Sequence, residues 1–224
     1  MNRLIRLVPS ATHAVCAAML FAAACLLAGC NVIGFGAYAI GGGDTTQSVD
    51  AQYRGLVDQR VAVLVSASDH TMFHHPRAIE ELCTILTSRL TNDIEGLRPT
   101  SPQQIVRFQR ENPYWVTETY GSLARRLNVD RIVYVEVVEY GTTQPGNRHV
   151  YQGVVAANVS VTEADGADPD NPVFTQTVKA TFPPDRPLGL LEADEESIKL
   201  GMHSLFVQQV SRLFHDHKVV HENR

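Results

Sequence analysis

The chain has 224 residues, 44% of them hydrophobic and 19% charged, a composition that matches one globular domain plus a targeting segment and excludes a disordered or collagen-like chain. The formal charge is −5, with three lysines in all. That balance argues against nucleic acid as a partner, because phosphate binding rests on clustered Lys and Arg.

Arg3 and Arg6 supply a positive start, residues 14–29 run without a charge, and the stretch closes on Leu26-Leu27-Ala28-Gly29-Cys30. This resembles the lipobox of bacterial lipoproteins. The resemblance implies that lipoprotein signal peptidase reads Leu27, Ala28 and Gly29, that residues 1–29 are removed, and that Cys30 carries diacylglycerol and an N-acyl chain. No other cofactor is expected. Several acyl chains, at about 0.8 kcal/mol per buried methylene, would hold the protein on a membrane essentially permanently. Asn31 in place of Asp favours the outer membrane by the enterobacterial sorting rule. Removal of the leader takes two of the 19 basic residues and none of the 24 acidic ones, leaving −7. The competing reading is an uncleaved transmembrane helix, since the uncharged stretch continues to Gly43. Glycine dilution and an apolar core of 16 residues make it a poor span for a hydrocarbon layer about 30 Å thick.

Residues 31–59 show neither helical nor strand periodicity and read as a flexible tether. The domain is expected over 60–216, with a tail at 217–224. It opens on Arg60 to Ser66, a continuous apolar run suited to a strand buried on both faces. A loop carrying Asp69, His70, His74 and His75 leads to Pro76. Ile79, Leu82, Cys83, Leu86 and Leu90 then recur at helical spacing, with Cys83 on the core side as an inert thiol. A short strand falls near 97–100. Ser101-Pro102-Gln103-Gln104 reads as a capping box opening a second helix, which stops by Asn112-Pro113. A third helix runs from about Thr117 to a left-handed cap near Asn128.

Arg131 to Tyr140 is a β-branched and aromatic strand, Gly141 to Asn147 a turn, and Tyr151 to Val161 an alternating strand with one solvated face. A polar turn at 165–170 precedes a third strand through Phe174, Val178, Ala180 and Phe182. A helix from about Glu192 to Phe214 closes the domain. The order β-α-(β)-α-α-β-β-β-α predicts an α/β (α+β) fold: a small mixed sheet with an antiparallel meander, packed by helices in two layers or nearly so.

Arg60 to Ser66, the helix at Ser101-Pro102, and Leu123-Ala124-Arg125-Arg126-Leu127-Asn128-Val129-Asp130 passing into Arg131-Ile132-Val133-Tyr134 resemble the periplasmic α/β domain shared by the amino-terminal part of TolB, the curli-secretion lipoprotein CsgG and the peptidoglycan-synthase-activating lipoprotein LpoB. Asp165-Gly166 stands where that group has its hairpin turn. The resemblance spans roughly residues 60–214 and implies a non-enzymatic adaptor that docks on other envelope proteins. No strand reads as long enough for a membrane-spanning hairpin, and no propeller follows.

Two sites compete for a role. Tyr114 and Trp115, between helices, form an aromatic pair of the kind that anchors protein interfaces; the alternative for Trp115 is a plug at the end of the sheet. His70, His74 and His75 are the densest group of potential ligands and give the alternative function, a metal- or small-ligand-binding lipoprotein, although their spacing matches no closed zinc motif. His215, Asp216, His217 and His221 form a second such group. Glu136 and Glu139, three apart on a strand, point to opposite faces unless a bulge intervenes. No nucleophile elbow or phosphate-cradling glycine loop is present.

Overall fold

The structure, a computed structural model, describes residues 45–144 and 146–221. The chain divides into one unit of residues 48–218 and a second of residues 1–47 with 219–224. The lipobox positions Leu27, Ala28, Gly29 and Cys30 lie outside the described residues.

Strand β1 (Thr45–Val49) pairs with β8 (His217–His221) in a separate two-stranded sheet, in segments that the sequence assigns to tether and tail. Residues 51–59 are likewise packed rather than loose. Leu56 is fully buried. The Tyr53 ring rests against Phe174 and Phe214 while its hydroxyl donates to Glu163 at 2.6 Å. Arg54 pairs with Asp216 at 2.7 Å. These contacts come from partners 100 or more residues away, which no local pattern shows.

In β2 (Arg60–Ala67), Val61 to Val65 are each at most 1% exposed, as a strand covered on both faces requires. The histidine segment expected as a loop is a short helix, α1 (Asp69–His74), because Ser68 caps it by accepting from the Thr71 N–H. Helix α2 (Ala78–Asp93) buries Leu82, Cys83, Leu86 and Leu90, as their spacing demands. After β3 (Arg98–Pro99), α3 (Pro102–Glu111) begins at Pro102 as expected, but its capping box does not form: the Ser101 hydroxyl donates to Gln103 Oε1 at 2.7 Å. A 3-10 turn (Trp115–Thr117) leads to α4 (Tyr120–Leu127), which ends on Asn128 at φ 53°. That left-handed residue redirects the chain into β4.

Strands β4 (Arg131–Gln144) and β5 (Asn147–Glu163) have 14 and 17 residues, both longer than the sequence indicates. Gly141-Thr142-Thr143 reads as a turn, yet Thr143 pairs with Tyr151, and the Thr142 hydroxyl donates to Glu195 at 2.8 Å. The turn expected over Gly141 to Asn147 is therefore corrected: pairing of the two strands continues to Gln144 and Asn147. A register shift between Val137 and Glu139 sets Glu136 opposite Asn158 and Glu139 opposite Ala156. A bulge thus does intervene, and it turns both carboxylates to the same face. Glu136 accepts from Asn158 and Glu139 from Lys179.

Strand β6 (Phe174–Phe182) and a two-residue β7 (Leu188–Gly189) flank β5, and α5 (Glu195–Ser211) follows, capped by Asp194. The sheet order is β3-β2-β4-β5-β6, parallel across β3, β2 and β4 and antiparallel beyond. Helices α2 and α5 lie side by side on one face. On the other face α4 and Trp115 cover Tyr134, while Glu136, Glu139, Thr177 and Lys179 stay exposed. The expected mixed α/β architecture is the one observed, with a third layer over its β2–β4 half.

Candidate functional site

Beyond Val61, the edge of β2 away from β4 has no neighbouring strand among the described residues, because β3 is only two residues long. Three of its carbonyls are satisfied in succession by unlike donors. The Thr100 N–H donates to Val61 O at 2.8 Å. The Cys83 thiol donates to Val63 O at 3.4 Å, and the Gln109 amide to Val65 O at 2.9 Å. Buried backbone acceptors must be paired, so α2 and α3 each supply one side chain to an edge that lacks a strand. Burial pushes the Cys83 thiol up to about 11, which leaves it protonated, able to donate, and unreactive.

Past Gln109 the helices part, and a cavity of about 430 Å³ opens at the carboxyl end of β2. Its walls include Val65, Ala67, Met72, Ile79, Val106 and Val116. Glu80 and Arg110, paired at 3.1 Å, stand at one side and Asp69 at another. Four large apolar side chains in the segments around it face solvent: Phe73 is 81% exposed, Tyr114 80%, Val116 55% and Met72 43%. Trp115 is only 7% exposed; its ring meets Tyr134 edge-on at 5.8 Å, and Tyr134 in turn bonds Ser66 at 2.7 Å. The aromatic pair singled out in the sequence therefore divides, Tyr114 outward and Trp115 inward as a wall of the cavity. Phe73, Met72 and Val116 had no motif to mark them.

The three histidines do not converge. The rings of His70 and His74 lie 4.5 Å apart, whereas His75 turns to the ring of Tyr140 at 4.8 Å. Among the described residues, no three His, Cys, Asp or Glu side chains are placed to hold one metal ion. His75, pushed below its ordinary range chiefly by burial, instead borders a second, polar cavity of about 380 Å³ with Glu81, Tyr140, Glu195, Glu196 and Lys199. Behind it His203, 1% exposed, contacts the Tyr140 hydroxyl through Nε2 at 2.7 Å. Burial drives His203 down to about 4 and Tyr140 upward. Both are neutral at pH 7 and share one hydrogen bond, which leaves Nδ1 as the second polar atom of the ring. That atom has no hydrogen-bond partner and stands 3.9 Å from Glu81. The sequence reading missed the pair because its members are 63 residues apart and His203 falls inside an apolar helical stripe.

No protein-family model and no curated protein matches the chain. Among solved structures it is similar to the PelC dodecamer from Paraburkholderia phytofirmans, at 14% identity over 76% of this chain and 97% of that one, with a TM-score of 0.45. The lipoprotein GNA1162 from Neisseria meningitidis gives 12% identity over 68% and 97%, with a TM-score of 0.44. The LpoB C-terminal domain from Salmonella enterica gives 9% over 57% and 87%, with a TM-score of 0.28. Bacterial lipoproteins thus stand among these likenesses, at scores too low to assign a role.

Proposed function

We propose that this chain is a lipid-anchored protein of the bacterial cell envelope whose α/β body binds another envelope protein through the cavity at the carboxyl end of β2, without catalysis. The carrying observation is the apolar lining of that cavity, in which Met72 and Val116 stay exposed to solvent, with exposed Phe73 and Tyr114 in the same two segments. Exposed apolar surface with polar groups beside it is characteristic of docking sites. The anchor rests on Leu27-Ala28-Gly29-Cys30, and Asn31 favours the outer membrane.

Two measurements test this. Mass spectrometry of the purified protein should find the amino terminus at Cys30 with its acyl chains; an intact leader sinks the anchor. A photo-crosslinking residue at Val116 or Phe73, activated in cells, should give one discrete adduct that Met72→Arg abolishes, while the same probe at Thr177 on the open sheet face should give none. Equal labelling from both faces sinks the docking site.

A further inference from the structure

The cavity continues the lane that β3 occupies beside β2. At its closed end a backbone N–H, that of Thr100, satisfies the Val61 carbonyl. At its open end the corresponding carbonyl, on Val65, is satisfied by the Gln109 side chain, whose amide reproduces a peptide N–H at 2.9 Å. Between them Cys83 fills the lane at Val63. Val65, Ser66 and Ala67 then line the cavity, with apolar walls from Met72 and Ile79 on one side and Val106 and Val116 on the other. A strand edge between two apolar walls is the arrangement that extended peptides use to add themselves to a sheet: backbone bonds give affinity and side pockets give selectivity. A helix, whose backbone N–H groups are engaged within itself, has no donor to take the place of the Gln109 amide on Val65 O.

From this we infer that the partner enters as an extended segment, adding a short strand beside Val65–Ala67 and displacing the Gln109 amide from the Val65 carbonyl. The inference rests on the docking reading and names its chemistry: an unprolined stretch of a few residues whose backbone N–H meets Val65 O and whose apolar side chain fills the space between Ile79, Val106 and Trp115. Glu80 and Arg110 hold each other at 3.1 Å, and the one further charged lining residue is Asp69, so the apolar side chain meets no basic group left without a partner acid.

Trp115 is the chain's one tryptophan and lines the cavity, so its fluorescence reports occupancy directly. The probe is the capped pentapeptide acetyl-Thr-Val-Leu-Val-Thr-amide, titrated to millimolar concentration into the full detergent-purified protein. Its control is the same peptide N-methylated at the three central residues, which keeps the side chains and removes the backbone donors. The expected result is a saturable shift in Trp115 emission, at least tenfold weaker with the methylated peptide. It should also weaken tenfold in Met72→Arg, a substitution at a partly exposed position that spares the core. Gln109→Ala should bind at least as well as the parent. Equal affinity for both peptides would overturn strand addition while leaving an apolar docking pocket standing. No saturable shift from either peptide would overturn the lane, and the crosslinking at Val116 would then decide separately whether the surface docks anything.

Discussion

His203 shows how one residue couples burial to solution conditions. Folding hides its imidazole and drives its pKa from an ordinary 6.5 to about 4. The unfolded chain therefore binds a proton that the native chain refuses at intermediate pH. The stabilising contribution is complete above pH 6.5 and is lost as pH falls from there toward 4. Glu81 and Glu196 oppose the depression and Lys199 adds to it, but burial leads. Between pH 7 and 5 the loss should be about 2 kcal/mol, read as a drop in the urea midpoint. His203→Leu should flatten that pH dependence even if it shifts the absolute midpoint. An unchanged slope in the variant would show that the imidazole is not excluded from protonation. Neither His203 nor its partner Tyr140 stood out in the sequence as one of a pair, since pairing across 63 residues depends on the bulge at Val138.

At the scale of elements, the apolar patterns of β2, α2 and α5 were readable because each buries its own periodic face. What the sequence concealed were the features set by partners: the extension of β4 and β5 past Tyr140, the register shift after Val137, and the docking of residues 51–59. Strand β6 shows a related tension. It is the outermost strand of its sheet, and its run Phe174-Thr175-Gln176-Thr177-Val178-Lys179-Ala180-Thr181-Phe182 is β-prone. Lys179 sits exposed near its middle, bonded to Glu139 at 2.8 Å, and Pro183-Pro184 ends it. A central lysine is the usual block against edge-to-edge pairing. Lys179→Val should leave the melting temperature within about 2 °C, because the lost surface ion pair contributes little. The same change should raise concentration-dependent light scattering severalfold. If scattering stays at the parent level, the edge is protected by something other than that charge.

For the whole molecule, the sequence disclosed the architecture, while the candidate site stayed mostly hidden. The cavity is assembled from residues 65–80 and 106–116, two stretches that meet only because β3 carries the chain back beside β2. Tyr114 and Trp115 were visible as aromatics, but which of them faces solvent depends on Tyr134 lying beneath. The contacts of Ala51 and Arg54 with Asp216, and of Gly55 with Arg131 at the start of β4, place the beginning of the body by the amino ends of β2 and β4. The cavity is at the carboxyl end of β2, roughly 25 Å further on for eight residues of strand. If Cys30 is the acylated residue, the 18 residues from it to Ser48 span at most about 60 Å. The mouth of the cavity then has a ceiling of height above the bilayer, which a partner docking there, as proposed, would have to reach. Deleting eight residues within 31–44 would lower that ceiling by up to about 30 Å. The Val116 adduct should fade if the partner stands on the opposite membrane and persist if it shares this one.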